Sequence, residues 1–201
     1  SEAFTGKKPM VKYWLHNGFI TINSEKMSKS LNNFFLVKDV LEHYSPDALR
    51  FFLISNHYRS PLDFSDERLE EMTRSLERLG TAIDNVLELL AMPAGAKSPE
   101  AQQLLETAHK DEEDFENAMC DDFNTALASA AMFDLAKNVN IFKNAVVNNG
   151  VPVDSAAMSE VKRVFKTFTD ILGILEDRWT GKKEDASSKD YDDLMQAILD
   201  I

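Results

Sequence analysis

Cysteine is nearly absent: Cys120 stands alone among 201 residues. No internal disulfide is possible, and one cysteine among four scattered histidines offers no zinc spacing. A reducing cytoplasm fits that usage. Such a thiol reads as a small core residue in preference to a nucleophile. Long apolar runs are also lacking. None approaches the roughly 20 residues of a membrane span, and the opening Ser1 to Lys8 has no apolar signal core. Positive charge is scarce, with 22 Lys+Arg against 34 Asp+Glu and a net charge of −12. That balance argues against indiscriminate attraction to nucleic acid. Its distribution is uneven, however. Residues 1–60 carry eight Lys+Arg and five Asp+Glu, while residues 61–201 carry fourteen and twenty-nine. Any RNA contact is therefore expected to be local and selective. No internal repeat or low-complexity tract occurs.

What is present begins with apolar content of 44%, enough for a core in one domain or two small ones. The stretch from Glu25 to Asn33 carries the chemistry. Lys26 and Lys29 sit three apart, with Ser28 between them and Ser30 after. Two ammonium groups, two hydroxyls and exposed backbone N–H groups suit a phosphate chain whose charge shifts during reaction. A bare pair of lysines at this spacing more often marks a solvated loop. The full string Lys26-Met27-Ser28-Lys29-Ser30 is more specific, and its surroundings predict how it is delivered. Phe19 to Ile22 alternates as a strand, Asn23-Ser24 turns, and Glu25-Lys26-Met27 returns, which is a small hairpin.

Elsewhere the pattern is helical. Residues 1–6 read as a helix end closed by Gly6, and Pro9 forbids its continuation. Val11 to His16 is expected to be a strand, with Trp14 in the core and a turn at Asn17-Gly18. His16 has two readings, a contact to nucleotide or substrate and a structural hydrogen bond, of which the second is favoured. Leu36 to Tyr44 reads as a short helix with Val37, Val40 and Leu41 on one face. Ser45-Pro46-Asp47 starts the next helix with a cap, a proline and an acid near the positive dipole end. That helix, through Phe51, Phe52, Leu53 and Ile54, is expected to be buried, with Arg50 as a structural partner rather than a ligand. The loop His57-Tyr58-Arg59-Ser60-Pro61 can either meet an RNA backbone or stack on a base, or be a packed connection.

Ser65 caps a long helix with the stripe Leu69, Met72, Leu76, Leu79, Ile83, Val86 and Leu90, ended by Met92 to Gly95. Pro99 opens another, with Leu104, Leu105, Ala108, Phe115 and Met119 apolar. Its acidic run Asp111 to Asp114 reads as a solvated face. Asp121-Asp122-Phe123-Asn124-Thr125 starts a third, capped by Asn124 or Thr125, with Leu127, Ala131, Leu135, Val139 and Phe142 inward and Asn148 to Gly150 closing it. Ser155 is expected to cap a fourth, with Met158, Val161, Phe165, Phe168, Leu172 and Leu175 inward. Residues 177–189 read as a mobile loop, and Tyr191 to Ile201 as the start of a further helix.

The Lys26–Ser30 string resembles the nucleotide-binding signature loop of class I aminoacyl-tRNA synthetases. Together with Tyr13 to Phe19, Asp47-Ala48-Leu49-Arg50-Phe51-Phe52, His57 to Pro61 and Asp121 to Thr125, it resembles the cysteinyl-tRNA synthetases over nearly the whole chain and in order. The chain departs from that pattern at Asn23-Ser24 (usually Asp-Gly), Asn32 (often Gly) and Ala126 (often Pro). The resemblance implies a mainly α fold: an antiparallel helical bundle of the anticodon-binding type, preceded by a β-hairpin-containing remnant of a Rossmann-like catalytic domain. It implies three parts, namely 1–34 with the signature loop, 35–64 as a connecting region, and 65–201 as the tRNA-binding helices. It also implies a cytoplasmic ligase that activates cysteine with ATP and transfers it to tRNA(Cys). Lys29 would be the main contact to the ATP phosphates, assisted by Lys26, Met27, Ser28 and Ser30. The family's zinc ligands and its His-Ile-Gly-His-type signature are not found in the chain. It therefore reads as a piece of a longer enzyme, inactive alone and with a monomer favoured. The competing expectations are a tRNA-binding helical module without chemistry, a purely structural bundle, and a related cysteine ligase of thiol biosynthesis.

Overall fold

In the computed structural model, which describes residues 1–22, 25–27 and 36–181, long helices follow a small β-bearing head. The first helix, α1 (Glu2–Thr5), ends at Gly6 in the left-handed conformation, φ 67°. The expected hairpin forms. β1 (Ile20–Ile22) pairs antiparallel with β2 (Glu25–Lys26), in the register Thr21 with Lys26 and Ile22 with Glu25. A third strand, β3 (Leu62–Phe64), lies parallel to β1 on its other side, giving the order β2-β1-β3. Thr21 donates its hydroxyl to Asp63 at 2.7 Å across that pair.

Both edges of β1 are thus taken, and the strand expected at Val11–His16 has no place in this sheet. Residues 13–19 form neither strand nor turn. Trp14, expected in the core, is 72% exposed and stacks on His16 with ring centroids 6.4 Å apart. Gly18 is required by proximity and not by a turn: a Cβ there would overlap the Ser60 carbonyl, while its N–H donates to the Tyr58 carbonyl at 2.7 Å.

Two compact units are distinguished, residues 1–77 with 109–135 and residues 78–108 with 136–201. In the first, α2 (Val37–Leu41) is shorter than expected and turns Val40 inward but leaves Val37 exposed. α3 (Pro46–Ile54) starts as its sequence dictates, with the Ser45 hydroxyl accepting from the Ala48 N–H. Its burial is one-sided: Phe51 and Phe52 are inside, Leu53 is 46% exposed, and Arg50 is exposed with no partner among the described residues. Val40, Phe52, Leu62, Phe64 and Leu69 form one cluster, with Phe52 edge-on to Phe64 at 5.7 Å. Burying each such side chain contributes about 1.5–3 kcal/mol.

α4 (Asp66–Ala91), α5 (Pro99–Cys120), α6 (Thr125–Asn149) and α7 (Ser155–Leu172) are the long helices. The α4 stripe is buried much as its spacing predicts, although Leu89 is more deeply buried than Leu90. On α6, Leu127 is 55% exposed, and Ala128 and Met132 take the inward positions of the first turns. α7 is capped by Asp154, whose carboxylate accepts from the Ala156 and Ala157 N–H groups, so Ser155 is the first helical residue and not the cap. Asp is as good a cap as Ser, and here it lies one position further out.

In the second unit, Asn85 and Asn140 share a 2.8 Å hydrogen bond between α4 and α6, and Lys143 pairs with Glu88 at 2.7 Å. Where a loop was expected after residue 176, a short helix α8 (Glu176–Thr180) forms. Trp179 fixes it by donating to the Thr169 hydroxyl at 2.8 Å and meeting Phe165 edge-on. The Arg178 guanidinium lies over Gly80 and binds Asp84 at 2.9 Å. The region expected as a further helix, 191–201, lies outside the described residues, as does 182–189.

Candidate nucleotide-loop hairpin and the corner that holds it

The lysine-bearing string leaves the sheet from β2. Lys26 occupies the position opposite Thr21, and the half-buried Met27 donates its N–H to the Ile20 carbonyl at 3.1 Å. The hairpin thus presents Lys26 and Met27 at the end of a strand anchored through β1 to β3. Ser28, Lys29 and Ser30 lie outside the described residues.

β3 directly follows the loop 57–61, and that loop is held by the turn between α5 and α6. Asp122 accepts from the Tyr58 hydroxyl at 2.8 Å. The same carboxylate takes two contacts from Arg59, Nε at 2.8 Å and Nη2 at 3.2 Å. Arg59 Nε also donates to the Tyr58 hydroxyl at 3.0 Å, and its guanidinium carbon lies 5.5 Å from the Tyr58 ring centre. That hydrogen bond first, and the Asp122 charge next, raise the Arg59 pKa above its usual value. The His57 ring stacks on Tyr58 at 4.9 Å, and its Nε2 is 3.7 Å from Asp122. The loop is packed against Asp122, while the Arg59 side chain stays 65% exposed.

The turn itself has an uncommon backbone. Asp122 and Phe123 are both left-handed, φ 55° and 54°, a region disfavoured for residues other than glycine, Asn and Asp. Backbone bonds surround them, from Phe123 N–H to Met119 O and from Asn124 N–H to Ala118 O. Asn124 then caps α6 by accepting from the Leu127 N–H at 3.1 Å. The helix start was legible in the sequence. The role of Asp122 was not, because its partners lie more than sixty residues away.

Two other residues differ from expectation. Cys120 is exposed at the last position of α5 and is no part of the core. Asp111, expected in a solvated acidic run, is buried at 3% exposure, and its Oδ2 has no hydrogen-bond partner among the described residues. Burial foremost, then the charge of Asp134 on α6, pushes its pKa up to about 6; Lys110 opposes the shift. A signal was available: Leu104, Ala108, Asp111, Phe115 and Ala118 follow the three-four spacing of one helix face, and all are buried.

Among the described residues no three His, Cys, Asp or Glu side chains converge as a metal-ligand group. They do not fit the zinc that the resemblance implies. Among the same residues no helix is long and apolar enough to cross a membrane.

Residues 1–74 match the family model for the class I (C) tRNA synthetase catalytic domain, and residues 114–176 match the DALR domain. The chain is 47% identical over 180 residues to the cysteine--tRNA ligase of Desulforamulus reducens, covering 88% of this chain and 37% of that protein. With the cysteine--tRNA ligase of Heliobacterium modesticaldum it shares 42% over 205 residues, covering all of this chain and 42% of that protein. In fold it is similar to a LeuRS of Agrobacterium radiobacter K84, solved as a ternary complex with tRNA and LeuAMS. That match has a TM-score of 0.61 at 21% identity and covers 82% of this chain and 21% of that one. The chain belongs to the cysteine–tRNA ligase family of class I synthetases and spans about two-fifths of the length of the curated relatives it matches.

Proposed function

We propose that the chain works as part of a cysteine–tRNA ligase, in which it supplies the ATP-phosphate loop and the helices that meet tRNA(Cys). The observation that carries this is the β1–β2 hairpin, which brings Lys26 and Met27 to the end of an anchored strand in a chain related to such ligases. In the reaction, the cysteine carboxylate attacks the α-phosphorus of ATP, the bond to the β-phosphate oxygen breaks, and pyrophosphate leaves. Negative charge gathers on that pyrophosphate. A lysine that reaches it stabilises the transition state more than the bound substrate. Lys29 takes this role, and Lys26, Met27, Ser28 and Ser30 line the same phosphates. In this reading residues 1–34 close on the nucleotide, 35–64 connect, and 65–201 approach the tRNA. The enzyme is cytoplasmic and monomeric, with any zinc ligands supplied from outside this chain.

The test is pre-steady-state adenylate formation by the complete ligase at saturating ATP. Lys29→Ala is expected to slow it by roughly a hundredfold or more, with cysteine binding little changed and Lys26→Ala less severe. An unchanged rate for Lys29→Ala removes the assignment. The 201-residue chain alone is expected to show no cysteine-dependent ATP–pyrophosphate exchange, even with zinc supplied.

A further inference from the structure

From the hydrogen bonds around Asp122, we infer that this residue is a positioning residue for the nucleotide-loop hairpin. It fixes the loop 57–61 to the α5–α6 turn and, through that loop, sets the seat of β1 and β2. The functional part of this inference rests on the ligase reading above; the mechanical part does not.

The connection is continuous and lies within one compact unit. The Asp122 carboxylate holds Tyr58 and Arg59 through three donors. The Tyr58 carbonyl holds the Gly18 N–H at 2.7 Å, two residues before β1. Leu62, the first residue of β3, donates its N–H to the Phe19 carbonyl at 2.9 Å. β1 and β3 then pair in parallel from Ile20 with Leu62 to Ile22 with Phe64, and β1 carries β2 on its other edge. The segment 57–64 is therefore gripped at its start by Asp122 and fused along its end to β1. Gly18 leaves no room to slide, since even a methyl group there would strike the Ser60 carbonyl.

An ion pair this exposed, with Arg59 at 65% and Asp122 at 39%, would add little by charge alone. Its significance lies in geometry. A two-point guanidinium contact and a phenol bond on one carboxylate fix a direction. Asp122 and Phe123 also both occupy the disfavoured left-handed region. Such conformations persist where surrounding contacts over-determine them, often at functional sites. Asp is among the residues that tolerate φ near 55°, so the turn aims a carboxylate at this loop with modest strain.

Asp122→Asn tests this, since Asn tolerates the same backbone but replaces one of the two carboxylate acceptors with an NH2 donor that faces the Arg59 and Tyr58 donors. Amide hydrogen exchange of the chain would be read residue by residue. Protection at Gly18, Met27 and Leu62 is expected to fall about tenfold or more, the scale of a charge-assisted hydrogen bond, while Phe165 in α7 keeps its protection. Loss confined to 57–61 and 121–125, with Met27 and Leu62 unchanged, overturns the inference. So does a uniform loss that includes α7. Should Asp122→Asn fail to fold, Tyr58→Phe keeps the ring, deletes one of the three donors, and is judged by the same amides. In the complete ligase, Asp122→Asn is expected to raise KM for ATP in cysteine-dependent pyrophosphate exchange severalfold and leave KM for cysteine unchanged; equal changes in both count against positioning. Failure of the Lys29 assignment would leave the exchange pattern standing. An unaltered exchange pattern would sink this inference alone.

Discussion

Thr125 donates its hydroxyl to the Ile54 carbonyl at 2.7 Å, joining the first residue of α6 to the last of α3 across 71 positions of chain. A carbonyl in the final turn of a helix has no partner within that helix. Here the start of another helix supplies one. Thr125→Val keeps the shape and removes the donor. The expected cost is about 1 kcal/mol, a fall in Tm of roughly 2–4 °C for a chain of this size. An unchanged melting curve would mean that water serves the carbonyl equally well.

Leu76 tests the register of α4. It is 5% exposed, in the middle of the stripe from Leu69 to Val86. Leu76→Ala removes three carbons from a packed position and is expected to cost about 2–5 kcal/mol. Glu71, on the same helix, is exposed, so Glu71→Ala serves as a control. Equal effects of the two in thermal melts would contradict the packing of this face.

Every long helix was legible, because each carries its own apolar period and its own start signal; the pairing of β1 with β2 was legible because both strands lie within the seven residues from Ile20 to Lys26, while the expected turn at Asn23-Ser24 lies outside the described residues. The pairing of β1 with β3 was not legible, since Ile20 and Leu62 are separated by α2 and α3. Trp14 was misread because an aromatic, β-branched stretch states a preference for extension but not whether a neighbour exists. Cys120 was misread because composition favours buried thiols, while its position at the end of α5 leaves it outside. The grip of Asp122 on Tyr58 and Arg59 is a tertiary fact without local pattern. The hairpin that carries Lys26 was thus visible from sequence, and what holds it in place was not.

Gly18 makes a sharper test than most glycines. Its φ is not in the left-handed region, so a side chain is excluded by space alone. In Gly18→Ala the methyl group meets backbone atoms of Ser60 and Arg59, which cannot rotate away as a side-chain tip could. Overpacking of this kind costs about 1–3 kcal/mol. The loss is expected to appear as faster amide exchange in β1 and β3, with the α7 amides unaffected. Wild-type exchange at Leu62 in the variant would show that the loop and residue 18 can separate freely.

Asp111 predicts how stability varies with pH. Its carboxyl is buried on α5, and the charges acting on it are Asp134 from α6 and Asp114 and Lys110 from its own helix. The folded pKa of about 6 exceeds the ordinary value of 3.8, so between those values the folded chain holds a proton that the unfolded chain has released. The slope of unfolding free energy against pH is therefore negative for this group. Its favourable contribution is complete below pH 3.8 and is lost as pH rises through about 6. Above that, an ionised carboxylate sits buried, with one oxygen unpartnered and Asp134 nearby. Asp111→Asn abolishes the titration and keeps the size. In urea melts at pH 5 and pH 7.5, the wild-type chain is expected to lose more stability on going to the higher pH than the Asn variant does. The variant is expected to be the more stable of the two at pH 7.5. Parallel pH profiles for the two proteins would show that Asp111 is ionised throughout, and that its neighbours solvate it far better than their arrangement implies.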